Sequence, residues 1–213
     1  VDRQAECRLS YFLQYGLRAK ERKEATVDPA EFGTYVHYVL EQTARDVMQL
    51  GGFRQVDLEQ TLEMADRHSK AYTAEHFSQL DSQRLEYLFR RNMQELELVV
   101  RELWAELHDA AFAPERFELS FAGDGEMPAI QISGAAIPAQ LRGFVDRVDL
   151  WQQHGRNYVR VVDYKTGKKD FDYCDVFNGV GLQMLLYLFA LEDGGDAITG
   201  QNAVPAGVQY FPA

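Results

Sequence analysis

Apolar positions recur every three or four residues through the first half of the chain and alternate residue by residue through much of the second. Phe32, Val36, Val39, Leu40, Thr43 and Val47 form one buried stripe of a helix running to about Gly51. Its start is marked by Asp28 at the N-cap, Pro29 in the first turn and Glu31 three residues after the cap. Upstream, residues 5–17 read as a short amphipathic helix stopped by Gly16, followed by basic Arg18, Lys20, Arg22 and Lys23. Residues 57–77 and 82–110 predict two further long helices with Glu, Gln and Arg outside. Phe112 to Pro114 break that pattern, and strands are expected near 115–122, 129–133, 140–152, 157–166 and 205–211. A helix over about 179–192, apolar nearly all round, interrupts them. Helices first, then strands with one crossing helix, is an α/β (α+β) layout.

Two of the strands carry an acid on their apolar face. Alternate side chains share a strand face, so Phe144, Asp146, Val148 and Leu150 lie together, as do Val159, Val161, Asp163 and Lys165. A two-residue turn at His154-Gly155 would pair Asp146 with Asp163, Val148 with Val161 and Leu150 with Val159. The opposite face then joins Asp149 to Arg160 and Trp151 to Tyr158, both favourable cross-strand pairs. Asp146 and Asp163 would stand with β-carbons roughly 5 Å apart. Like charges so placed repel and lose hydration, which forces one neutral unless a cation separates them. The pair is therefore either a divalent-metal seat or a protonated, water-bridged acid pair.

Composition narrows the setting. The 213 residues fit one large domain or a domain with an insertion, and 46% hydrophobic content suffices for a sizeable core. Residues 1–110 form the mainly helical part and 111–213 the strand-rich part. No apolar run reaches the ~20 residues that span a bilayer, no signal-peptide layout is present, and Cys7 and Cys174 make no disulfide framework. The chain reads as soluble and intracellular. It does not begin with Met and stops within or just after a strand pattern, as a fragment would. A net charge of −11 argues against free-standing nucleic-acid binding, so phosphate contacts would come mostly from elsewhere in a larger assembly.

Other residues could join the acids. Lys165 sits one strand step, about 7 Å, beyond Asp163. It could hold an ammonium beside a phosphate under attack, or simply cover its acidic neighbour. His37 shares a helix face with Gly33 and Glu41 and reads as a metal ligand or as a packing histidine. Gln183 and Tyr187 lie one turn apart on the apolar helix. Burying an unpartnered amide costs about 1–3 kcal/mol, so the pair either faces a site or is a core Gln bonded to backbone with a Tyr reaching the surface. Cys7 is a buried helix residue or one thiolate of a larger cluster.

Together, Gly33-Thr34-Tyr35-Val36-His37, Gly143-Phe144-Val145-Asp146-Arg147-Val148-Asp149, Val162-Asp163-Tyr164-Lys165-Thr166-Gly167 and Gln183-x-x-x-Tyr187 resemble, in order, the motifs of the PD-(D/E)xK nuclease superfamily, RecB-like branch. The Cys7 to Leu17 segment is similar to the entry of the nuclease domain in AddB-type subunits of ATP-dependent helicase–nucleases. The resemblance implies a restriction-endonuclease-like core, a mixed central sheet flanked by helices, with an N-terminal or inserted helical region. It implies His37, Asp146, Asp163 and the Tyr164 carbonyl as ligands of Mg²⁺, with Mn²⁺ as substitute. Lys165 would help activate water, and Gln183 and Tyr187 would position the DNA strand. The implied activity is DNA phosphodiester hydrolysis, as an exonuclease module acting on single strands delivered by a helicase during double-strand-break repair and recombination. The implied partners are DNA and a helicase–nuclease partner subunit, without a membrane, at the nucleoid in the bacterial cytoplasm. In the family three more cysteines follow the last strand and join the first in a [4Fe–4S] cluster. They lie beyond this sequence, leaving Cys7 as a single ligand and the cluster to the full-length protein. Two other readings stand beside this one: a non-cleaving DNA-binding or scaffold module, and a free-standing CRISPR-adaptation exonuclease.

Overall fold

The computed structural model describes residues 4, 7–18, 29–76, 83–122, 126–132, 139–165, 167, 172–200 and 203–213. The expected cap at Asp28 and the basic Lys20, Arg22 and Lys23 lie outside the described residues. A short helix α1 (Arg8–Tyr11) runs into a π-helical turn (Phe12–Gly16). Neither buries a residue, so the amphipathic face expected for 5–17 meets no core among the described residues. Cys7 is exposed, against the first of its two readings as a buried helix residue, and caps α1, accepting from the Ser10 amide at 3.4 Å.

Three long helices follow: α2 (Pro29–Gln49), α3 (Leu58–His76) and α4 (Gln83–Asp109). The stripe of α2 is buried as expected at Val36, Val39, Leu40, Thr43 and Val47. Strands then enter as β1 (Ala113–Phe121), β2 (Ile130–Ile132), β3 (Ala139–Leu141), β4 (Gly143–Gln153) and β5 (Arg156–Lys165). The chain continues through α5 (Tyr173–Phe177), α6 (Gln183–Gly194), α7 (Asp196–Thr199) and β6 (Ala203–Pro212). Helix α6 starts four residues later than the apolar run suggested. Gly179 and Gly181 before it hold φ of +83° and +73°, which no right-handed helix contains.

The main sheet has the order β1-β4-β5-β6, with β1/β4 and β4/β5 antiparallel and β5/β6 parallel. It is the mixed sheet that the family resemblance implied. The β4–β5 turn places His154 at φ +50° and Gly155 at +72°, the two left-handed residues that a tight hairpin needs. The ladder pairs Val148 with Val161, Asp149 with Arg160, Leu150 with Val159 and Trp151 with Tyr158, the register expected.

Helices cover both faces. On one, Val36, Leu40, Val100 and Leu103 pack with Phe117, Val162, Tyr164 and Phe211. On the other, Met184, Tyr187, Leu188 and Leu191 of α6 pack with Leu119, Val145, Val148, Val159 and Val161. Strict alternation along β4 fails at Asp146, because Val145 and Val148 join the same cluster while Phe144 is exposed. Glu118, bracketed by the pairs Phe117–Arg147 and Leu119–Val145, has φ +50°, so the two strands kink together there. The face opposite Val148, which carries the expected Asp149–Arg160 and Trp151–Tyr158 pairs, is also buried: Arg147 and Asp149 are both fully enclosed.

Candidate metal centre

The kink in β4 and the end of β5 face the first turns of α2. His37 Nε2 lies 3.0 Å from the Tyr164 carbonyl, and its Nδ1 lies 3.6 Å from Asp146 Oδ2. A carbonyl only accepts, so Nε2 carries the ring proton in this state. The same Asp146 Oδ2 accepts from the Tyr164 amide at 2.6 Å. The β4–β5 ladder therefore stops at Arg147–Val162, one pair short of the two aspartates. Where the next backbone pair would form, the carboxylate of Asp146 has taken the amide of Tyr164.

Asp146 is pushed above the usual carboxylate range, first by burial and further by Asp163; His37, the Tyr164 amide and Lys165 pull it back only in part. This is the frustration expected of two neighbouring acids. Asp163, however, is ion-paired with Lys165, its neighbour on the same strand face. The gathered group is different. Donor atoms of His37, Glu118 and Asp146 lie within 4.8 Å of one another, and Asp163 stands outside that group.

Glu118 escaped the reading of the sequence. An acid between Phe117 and Leu119 looks like an ordinary solvent-facing strand residue, and only the β1–β4 register puts it opposite Asp146. Glu118 is exposed overall, but its carboxyl is pushed up to about 7, first by partial desolvation and then by Asp146 and Glu41, against the pull of Arg45. Arg45 donates to Glu41 at 2.8 Å and stands over the Phe117 ring.

Gln183 and Tyr187 of α6 lie against the start of β4 at Gly143. Tyr187 is fully buried and Gln183 is exposed, the reverse of the core-Gln arrangement. Gln183 Nε2 donates to the Tyr187 phenol at 2.9 Å, and Phe121 stacks on the Tyr187 ring at 4.8 Å. The Tyr187 phenol is pushed up by burial, with Asp163 adding to the rise, which sets it near the end of β5.

An imidazole, two carboxylates and a peptide carbonyl make an oxygen-rich donor set of the kind hard divalent cations take. A cation would also relieve the crowding of Asp146 and Glu118, and His37 Nδ1, the ring nitrogen facing Asp146, carries no proton in this state and could ligate it. The residues present fit such an ion. An iron–sulfur cluster is not met in the same way: Cys7 and Cys174 are the only cysteines, both are free, and neither joins a ligand group among the described residues.

The family model for the PD-(D/E)XK nuclease superfamily matches residues 1–213. The chain is 31% identical over 218 residues to the AddB-type subunit of the ATP-dependent helicase/deoxyribonuclease of Clostridium novyi. It is 33% identical over 219 residues to the corresponding protein of a Thermoanaerobacter species and 32% over 222 residues to that of Acetivibrio thermocellus. Each match covers 99% of this chain and 19% of the relative.

Proposed function

This chain belongs to the PD-(D/E)XK nuclease superfamily, and from that membership we propose that it is a metal-dependent deoxyribonuclease module, one domain over residues 1–213, of a helicase–nuclease. The convergence of His37, Asp146 and the Tyr164 carbonyl beside the Asp163–Lys165 pair is the observation that carries this reading.

His37, Asp146, Asp163 and the Tyr164 carbonyl would hold the ion, with Glu118 as a further carboxylate within reach. Bound Mg²⁺ or Mn²⁺ supplies charge stabilisation for a scissile phosphate and lowers the pKa of a water. The protein's own groups do the rest. Lys165, tethered by Asp163, offers an ammonium to charge developing on the phosphoryl oxygens. Gln183 turns its exposed amide to an incoming DNA strand, and the buried Tyr187 phenol fixes the rotamer of that amide. With a net charge of −11, the module leaves most phosphate neutralisation to other parts of the assembly. The names of the relatives support a DNA substrate and a helicase partner. Action on single strands as an exonuclease, in break repair and recombination at the bacterial nucleoid, is part of the same reading. So is an iron–sulfur cluster taking Cys7 as one ligand in the full-length protein.

The test is a nuclease assay on single-stranded DNA with Mg²⁺, Mn²⁺ or chelator, using the full-length complex and its Asp163→Ala variant. Metal-dependent cleavage lost in the variant is expected. Equal cleavage by the variant overturns the site, and no cleavage by the intact complex leaves a non-cleaving DNA-binding module.

A further inference from the structure

Behind the candidate centre, on the face of the sheet that α2 and α4 cover, lies a buried ion network with no part in the chemistry above. Arg147 is fully enclosed. Its Nε and Nη2 donate to the two oxygens of Asp149 at 2.7 and 3.0 Å. Asp149, equally enclosed, also accepts two bonds from Arg160 at 3.0 and 2.6 Å. Glu106 of α4 completes the set, 2.7 Å from Arg160 and 3.6 Å from Arg147. Two guanidiniums face two carboxylates, so the charges balance.

Stability alone does not explain this arrangement. Well-packed apolar residues often hold a fold as firmly as a buried ion network does, because desolvation offsets the Coulomb gain. What apolar residues would lack is the third arm of Arg147. Its Nη1 donates to the Tyr164 phenol at 3.2 Å, and the guanidinium stands over the Tyr164 ring at 5.6 Å.

Tyr164 is the residue through which the back of the sheet meets the front. Its side chain is buried among α2 and α4, while its neighbours Asp163 and Lys165 turn to the other face. Its amide binds Asp146 and its carbonyl accepts from His37. Tyr164 also lies past the last backbone pair between β4 and β5, so on that side no ladder bond orients its peptide. On the other side, β6 pairs through Lys165.

We infer that Arg147 is a positioning residue: by gripping the Tyr164 phenol it sets the orientation of the Tyr164 peptide, and thereby the carbonyl and the Asp146 carboxylate that form the cation site. The Asp149–Arg160–Glu106 network keeps that guanidinium charged, fixed and dry. The inference deepens the proposed function and rests on the metal-site part of it.

Two variants test it in the full-length protein together with its helicase–nuclease partner, without nucleotide. Tyr164→Phe keeps the ring and the ion network and deletes the grip alone. Arg147→Lys keeps the charge without the forked geometry. Mn²⁺ uptake is followed by the electron paramagnetic resonance of free Mn²⁺, together with the Mn²⁺ dependence of DNA cleavage and the melting temperature. Both variants should need about 10–100-fold more Mn²⁺ for half-saturation, as removal of a group that orients a ligand does. Their kcat should fall with KM for DNA unchanged. Tyr164→Phe with wild-type Mn²⁺ uptake overturns the inference, and so does a lower melting temperature with unchanged half-saturation. If Arg147→Lys does not fold, Tyr164→Phe decides. Failure of the nuclease reading shows separately, as Mn²⁺ uptake by the wild type without cleavage.

Discussion

The phenol oxygen of Tyr187 occupies the space that a side chain at position 143 would need, and Gly143 is what lets α6 come so close to the start of β4. Gln183 leans on the same phenol, so this contact also seats the amide proposed to meet DNA. Gly143→Ala should therefore cost about 1–3 kcal/mol, the usual range for overpacking a filled site. Tyr187→Phe should recover part of that loss, since the ring carbon behind the hydroxyl would still crowd a Cβ at 3.1 Å. Calorimetry of the two single variants and the double variant measures the coupling. Strictly additive losses would mean that the clash is relieved elsewhere.

Glu118 predicts a pH dependence. Its folded pKa is raised from 4.5 to about 7, so its contribution to stability is fully present below the unfolded value and is lost as pH rises through the folded one. Metal-free protein should thus lose a little stability between pH 4.5 and about 7, a loss kept small by solvent screening at this exposed residue, and Glu118→Gln should flatten that slope relative to wild type. Adding Mn²⁺ should raise the melting temperature most at the upper end, where the carboxylates are charged. Denaturation curves across pH, with and without metal, check both statements.

Removing Asp149 strands a buried guanidinium. Asp149→Ala leaves Arg147 enclosed with Glu106 as its remaining acid, 3.6 Å away. Breaking one side of a buried ion pair typically costs about 3–5 kcal/mol. For a chain of this size that is a fall in melting temperature on the order of 10 °C. A change within a degree or two, read by differential scanning calorimetry, would show that water reaches the network.

Lys165→Ala should lower kcat for DNA hydrolysis by about 10²–10³-fold, the scale seen when one donor to developing charge is lost. KM and DNA binding should hold. Freed of its partner, Asp163 should also bind the cation more readily, so the Mn²⁺ half-saturation should not rise. Steady-state kinetics over a metal series separates these effects.

Much of the architecture was written locally. The β4–β5 register followed from a turn needing two left-handed residues and from pairs such as Asp149–Arg160, and the structure has that register. The α2 stripe, the start of α3 and the end of α4 followed equally from spacing, while the expected bounds at 77 and 82 lie outside the described residues. Elsewhere local pattern did not reach. Alternation puts Arg147 and Asp149 on one face of β4, but nothing nearby in sequence announces that Glu106 of α4 closes over them. Glu118 looked ordinary because its neighbour Asp146 is supplied by another strand.

Periodicity thus determined which side chains share a face, because backbone geometry sets that over a few residues. Tertiary structure alone decided what each face meets. It brought His37 from α2 onto the Tyr164 carbonyl, 127 residues away, added Glu118 to the acids, and buried Tyr187 while leaving Gln183 open. Those are long-range packing outcomes, settled by which surfaces exclude water together, and no local pattern of the chain encodes them.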